Sequence, residues 1–162
     1  MIVAVIADTH LPRGSRRLPA ACVEAIAAAD LLLHAGDVST ASALAEIRSI
    51  GPPVEAVSGN VDDAELRREL PARLELTIEG VTLGVIHDAG AARGRLARMH
   101  RLFPRADAVI FGHTHSPGLL AERGFQLFNP GSPTERRRAP HRAMGVAEVE
   151  DGRVTFRHIA LD

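Results

Sequence analysis

Residues 1–10 read MIVAVIADTH, an apolar run over Ile2–Ala7 that stops abruptly at Asp8-Thr9-His10. A short continuous apolar run suits a strand buried on both faces, as at the centre of a parallel sheet. The pattern then repeats. Pro19–Ala29 is Ala-rich and reads as a helix, and Leu31–His34 is a second apolar run that leads into Gly36-Asp37. Thr40–Ile50 is helix-like, with Thr40 placed to cap it. Val54–Ser58 reads as a third strand leading into Gly59-Asn60, and Asp63–Leu70 as a short helix that Asp62 or Asp63 would cap. Strand and helix alternate as β-α-β-α-β, which predicts a parallel sheet with helices packed on it.

The second half changes character. Leu74–Glu79 and Val81–His87 flank Gly80 and predict a hairpin. Gly94–Phe103 reads as a helix with an Arg-rich face and Ala108–Gly112 as a buried strand. Phe125–Asn129, Met144–Glu150 and Arg153–Ala160 read as sheet strands, the last two joined at Asp151-Gly152. No linker, repeat or low-complexity tract interrupts the chain. Its 162 residues suit one domain over 1–162, able to bury about 70% of its unfolded surface. The expected fold class is α/β, with two mixed sheets packed face to face between helices.

Composition narrows the function. Hydrophobic residues make up 46% and the net charge is −1, a globular balance with no basic excess for a nucleic-acid groove. All 19 basic residues are Arg, which we read as compositional. No apolar run approaches the roughly 20 residues that span a bilayer, and residues 1–10 lack the basic segment of a secretory leader. The single cysteine, Cys22, sits among alanines and reads as a small buried hydrophobe. A cytoplasmic protein is expected.

The informative positions are those where the strands stop. One after another they end in Asp8-Thr9-His10, Gly36-Asp37, Gly59-Asn60, His87-Asp88, Gly112-His113-Thr114-His115 and Asn129-Pro130-Gly131-Ser132. Ligands of open α/β sheets gather outside the carboxyl ends of strands, so these tips can converge across a hundred residues of sequence. Asp, His and Asn offer oxygen and imidazole donors suited to Mn²⁺, Fe, Zn²⁺ or Ni²⁺. The spacing of two in Asp8/His10 and in His113/His115 would point each pair to one side of an extended segment.

As an ordered set, Asp8-x-His10, Gly36-Asp37, Gly59-Asn60, His87 and Gly112-His113-x-His115 resemble the motifs of the calcineurin-like metallophosphoesterases. The likeness is to their small bacterial and archaeal phosphodiesterase branch, with Asn129-Pro130-Gly131-Ser132 as a further mark. The resemblance implies a four-layer α/β/β/α sandwich and two divalent metal ions, Mn first and Fe, Ni or Zn as alternatives. Asp8, His10, Asp37 and His115 would hold one ion; Asp37, Asn60, His87 and His113 would hold the other, with Asp37 bridging. A hydroxide bridging the two ions, positioned through Asp37, would attack a small phosphate ester, and His113 would take part in catalysis. Asn60 and Arg13 are the expected substrate contacts.

The chain departs from many relatives at two places. Val61 stands where they carry a histidine that donates a proton to the leaving group, and Asp88-Ala89 stands where they read Gly-His. General acid help contributes about 10²–10⁴-fold, so slow turnover of alkyl esters is expected. Asp88 could orient a histidine, Asn129 and Ser132 could brace the site, and either Arg13, Arg16 and Arg17 or Arg136–Arg138 could meet phosphate. His34 is expected in the core, whereas His100, His141 and His158 are expected to take no direct part. The rival reading is a metal-binding scaffold or interaction protein on the same fold; association into a homo-oligomer is also open.

Overall fold

The computed structural model describes residues 1–162. Its elements run β1 (Ile2–Ile6), α1 (Ala20–Ala27), β2 (Leu31–His34), α2 (Ala41–Arg48), β3 (Val54–Ala56), α3 (Ala64–Glu69), β4 (Arg73–Ile78), β5 (Val81–Ile86), α4 (Arg95–Leu102), β6 (Ala108–Phe111), β7 (Gly118–Glu122), β8 (Phe125–Asn129), β9 (Ala143–Glu150) and β10 (Arg153–Ala160). The apolar runs do become central strands: Val3–Ile6 of β1 and all of β6 are buried. One sheet has the order β10-β9-β1-β2-β3 and the other β4-β5-β6-β8-β7. In each, three parallel strands carry antiparallel companions. β1-β2-β3 are extended by the β9-β10 hairpin, and β5-β6-β8 are flanked by β4 and β7.

Three apolar layers hold the sheets and helices. Val3, Val5 and Leu33 from the first sheet meet Leu83, Val85 and Ile110 from the second. The opposite face of β1 and β2 packs Ala4, Ile6 and Leu32 against Cys22, Ile26, Leu44 and Leu66 of α1, α2 and α3. The outer face of the second sheet is covered by α4 alone, through Met99 and, just beyond it, Phe103. The expected α/β/β/α sandwich with two mixed sheets is the observed fold.

Local signals explain the element ends. Thr40 caps α2, its side chain accepting from the Ala43 N–H at 3.2 Å, and Asp63 caps α3 through the Leu66 N–H at 2.8 Å. Three hairpins turn on a non-glycine residue followed by glycine, at Glu79-Gly80, Arg123-Gly124 and Asp151-Gly152, all with positive φ. That is the backbone twist a two-residue hairpin requires. The middle one joins β8 to β7, a strand absent from the sequence expectation. All five β7 residues are exposed, so the strand leaves no apolar alternation to read. No helix is long and apolar enough to cross a membrane.

Candidate metal centre

The parallel ladder continues past the strands and carries the donors with it. The Asp8 N–H donates to the Gly36 carbonyl at 3.0 Å, the His10 N–H to Asp37 at 3.0 Å and the Leu11 N–H to Val38 at 2.8 Å. In the second sheet the Gly112 N–H donates to the His87 carbonyl at 3.0 Å. The two sheets are joined at this end by the His113 N–H, which donates to Asp8 Oδ1 at 3.1 Å.

Two groups of donors result. One donor atom each from Asp8, His10 and His115 lie within 4.8 Å of one another, and the same holds for Asp37, His87 and His113. In the first group His10 Nε2 is 3.2 Å from His115 Nε2, and His115 Nε2 is 3.5 Å from Asp8 Oδ1. In the second, His87 Nε2 is 3.2 Å from Asp37 Oδ2. Asn60 Oδ1 joins it, 3.0 Å from both His87 Nε2 and His113 Nδ1. Asp37 Oδ2 also lies 3.7 Å from His10 Nε2, so this carboxylate stands between the groups. All seven candidate donors named from the sequence are therefore brought together.

The backbone achieves this differently from expectation. Asp8, His10, Asp37, His113 and His115 all have positive φ, between 47° and 68°. The segments are not extended there, and His113 and His115 point into different groups instead of one side. Left-handed backbone is costly for non-glycine residues and concentrates where a site demands it. Two glycines give the donors room: a Cβ on Gly59 would collide with the Asp37 carboxylate, and one on Gly36 would lie 2.7 Å from His87 Nδ1.

The donor set fits a cation. His87 Nδ1 is 2.8 Å from the Ala35 carbonyl and must donate to it. In the neutral ring the Nε2 lone pair then faces the Asp37 carboxylate and the Asn60 amide oxygen. His115 likewise spends Nδ1 on the Glu135 carbonyl at 3.1 Å. Asp8 Oδ2 is enclosed with no hydrogen-bond partner. Imidazole nitrogens, carboxylate oxygens and an amide oxygen thus crowd together at 3.0–3.7 Å, an arrangement that a bound cation relieves. Burial drives Asp8 up to about 7 and pushes His10 down and His115 down to about 4. Asp37 is also burdened by burial, but its bond to His87 and the Val61 N–H carry it below the usual carboxylate range. Burial opposes charge on His87 too, yet Asp37 outweighs it and raises the ring.

Residues 1–152 match the family model of the calcineurin-like phosphoesterase superfamily domain. The chain belongs to that family. A protein named "probable metallophosphoesterase" from Methanothermobacter thermautotrophicus is 37% identical over 136 residues, which is 83% of this chain and 78% of that protein. Two solved structures share the fold. Vps29 of Entamoeba histolytica, complexed with zinc, superposes with a TM-score of 0.78 at 22% identity over the whole of both chains. A structure described as a novel archaeal phosphodiesterase gives 0.76 at 19% identity, covering 99% of this chain and all of that one.

Around this candidate site lie braces that the sequence reading partly missed. Asp62, fully buried, accepts from the Ser39 N–H at 2.7 Å and the Gly59 N–H at 2.6 Å. It thereby ties the loop after Asp37 to the loop before Asn60, and Asp63 alone does the capping. Ser132 Oγ donates to the Asp8 carbonyl at 2.8 Å and Thr134 Oγ1 to the Thr9 carbonyl at 2.8 Å. The Asn129 amide holds the Gly112 carbonyl at 3.0 Å and Thr114 Oγ1 at 3.1 Å. His34 is core, its Nε2 paired with Thr9 Oγ1 at 2.9 Å. Asp88 is exposed and accepts from the Gly90 N–H, so it orients no histidine. His100 is exposed, and His158 is spent on the Asn129 carbonyl at 2.7 Å.

Arginines are unevenly placed. Arg13 is exposed and makes no hydrogen bond or ion pair through its side chain. Arg16 Nη1 stands 3.7 Å from Glu135 Oε2, which in turn is 3.8 Å from His115 Nδ1. The positive charge of Arg137 reaches Asp8, His10 and His115, favouring ionised Asp8 and neutral histidines.

Proposed function

We propose that this protein is a phosphodiesterase acting on small phosphate esters with two divalent cations, manganese first among them. Asp8, His10, Asp37 and His115 would hold one cation and Asp37, Asn60, His87 and His113 the other. The observation that carries the reading is the Asp37 carboxylate standing between two groups of metal-ligating side chains, its Oδ2 3.7 Å from His10 Nε2 and 3.2 Å from His87 Nε2. When bound, the cations would supply an activated water and neutralise the charge of a phosphoryl group in line with it.

The protein's own share is positional. Asp37 would share its carboxylate between the two sides and so fix their separation. His87 and His115, each holding a backbone carbonyl through Nδ1, keep Nε2 aimed inward. Asn60 and His113 are the donors least enclosed by protein, and a phosphate oxygen would approach beside them. No side chain stands ready to protonate a leaving group: Val61 is 45% exposed and apolar, Ala89 is buried, and Asp88 is turned to Gly90. Esters whose leaving group departs unaided are therefore the better substrates. A reducing cytosol suits Cys22, which stays a thiol.

A screen of phosphomonoesters, phosphodiesters and cyclic nucleotides with added Mn²⁺ tests the reading. Bis(p-nitrophenyl) phosphate should be hydrolysed, a chelator should abolish the activity, and Asp37→Asn should lower it at least about a hundredfold. Full activity in Asp37→Asn would overturn the shared-carboxylate assignment. Equal rates on aryl and alkyl diesters would overturn the leaving-group argument. The likeness in fold to Vps29 favours a second reading, a metal-binding scaffold, and that reading wins if metal binds but no ester in the screen is cleaved.

A further inference from the structure

The outer face of the second sheet extends beyond the helix that covers it. Strand register fixes which side chains stand there. β6 and β8 pair Val109 with Leu127, and β8 and β7 pair Leu127 with Leu120 and Asn129 with Gly118. Val109, Phe111 and Leu127 belong to the layer under α4. Side chains two apart on a strand share a face, so Asn129, Leu120 and the bare Cα of Gly118 lie on that face too. α4 does not reach β7, and Leu120 is left 55% exposed. At the strand tips opens a cleft of about 370 Å³, floored by Phe111, Leu127 and Asn129 and bounded by Gly118 and Leu120.

The Arg95 guanidinium also lines the cleft. Its Nε and Nη2 both donate to the Gly90 carbonyl, at 3.0 and 2.6 Å, and its Cζ sits 5.0 Å from the centre of the Phe111 ring. The group is therefore held in place before any ligand arrives. It is a flat cation of the kind on which aromatic rings stack. Gly118 contributes to the cleft by having no side chain. Its backbone does not call for glycine: its φ is not in the left-handed region, and an added Cβ would meet nothing within 4 Å. What glycine does at this position is leave the cleft open.

The cleft adjoins the candidate centre. Thr114 lines it, and its chain neighbours His113 and His115 are donors of the two groups. The Asn129 amide ties this residue to the floor, donating to Thr114 Oγ1 at 3.1 Å and to the Gly112 carbonyl at 3.0 Å. Consecutive Cα atoms are about 3.8 Å apart, so the cleft begins one residue from His113, the donor beside which a phosphate oxygen would approach. A concave, mostly apolar surface with a few fixed polar groups is the form of a small-molecule subsite. We propose that this cleft holds a planar aromatic group of the substrate, stacked against Arg95, while the phosphoryl group lies between the two donor groups. The inference rests on the phosphoesterase reading of the centre and adds to it the part of the ester that the protein selects.

The test compares adenosine 5′-monophosphate with ribose 5-phosphate on the Mn²⁺-loaded full chain. The two share phosphate and pentose and differ in the aromatic base. Calorimetry gives the two dissociation constants, and inhibition of bis(p-nitrophenyl) phosphate hydrolysis gives a second measure. The base should tighten binding about tenfold, the scale of one ring stacked on a guanidinium. Gly118→Ile, which fills the cleft at an unstrained position, should abolish that preference and leave ribose 5-phosphate bound as before. Arg95→Lys, which keeps the charge but not the flat face, should shrink the preference severalfold. Leu119→Ala, on the opposite face of β7, should leave it unchanged. Equal affinities in the parent protein, or a preference that survives Gly118→Ile, would overturn the inference. So would a Gly118→Ile protein altered only in its oligomeric state, since the cleft would then be a contact between copies. A protein that hydrolyses the diester without preferring the base-bearing phosphate overturns this inference alone. One that prefers it but hydrolyses no ester overturns the phosphodiesterase reading alone.

Discussion

On the Asp8 side of the centre, Asp8, His10 and His115 are all buried, and the turn from Ser132 to Glu135 closes over them. On the Asp37 side, Asn60 is exposed and His113 only partly covered, and the brace, Asp62, works from beneath. Asp37 and His87 are buried like the donors of the first group, so the second side is open only at Asn60 and His113. Enclosure prevents rearrangement of the donors and suits a tightly held cation. Openness leaves room for an exchanging cation and for an incoming ester. On the function proposed above, the two sides would divide retention from access.

The largest effect should come from breaking the enclosed side. Asp8→Ala is expected to cut metal retained after gel filtration to less than one equivalent and hydrolysis by at least about a hundredfold. Asn60→Ala should cost about tenfold in hydrolysis while one tightly held equivalent remains. Elemental analysis beside the rate measures both, and equal metal losses would erase the distinction. A smaller effect should follow from loosening the open side from below. Asp62→Ala leaves the Ser39 and Gly59 N–H groups buried and unpaired, a loss of about 3 kcal/mol. It should also weaken binding of the second metal equivalent about 10- to 100-fold, and Asp62→Asn, which keeps one acceptor, should recover part of both. Urea unfolding and metal titration read the two quantities separately.

The smallest effect concerns acid. Burial holds His34 down at about 3, far below the roughly 6.5 of an unfolded chain. The ring is neutral in the fold, so its contribution is complete above about pH 6.5 and shrinks as pH falls from there toward 3. Between pH 6.5 and 5 that costs up to about 2 kcal/mol. The urea midpoint should drop over this range, and less so in His34→Gln. An unchanged slope would remove His34 from the support of Thr9 and the enclosed side.

Most of this architecture was legible in the sequence because strand ends announce themselves. Ile2–Ala7, Leu31–His34 and Ala108–Gly112 are apolar runs ended by donors, and the structure brings all seven donor positions together. Thr40 and Asp63 act as the caps their side-chain chemistry allows. What escaped depends on long-range geometry. β7 carries no buried residue and so no period. Asp62 looked like a helix cap because its bonds to Ser39 and Gly59 cannot be read from spacing. Arg16 and Arg137 were among the arginines the sequence offered, but Arg13 stood first by its nearness to His10, whereas the arginine charges that bear on His10 come from Arg16 and from Arg137, more than a hundred residues away.

Left-handed backbone at Asp8, His10, Asp37, His113 and His115 sets the interests of the fold against those of the site. Each such residue costs the native state on the order of 1 kcal/mol that glycine would not incur. At these five positions the substitution that destroys a donor most completely also relieves the chain. Asp37→Gly should therefore melt at a higher temperature than Asp37→Ala, although both have lost the same carboxylate. Selection for heat tolerance alone, with no demand for activity, would drift toward glycine at these strand tips and unmake the centre while improving its scaffold.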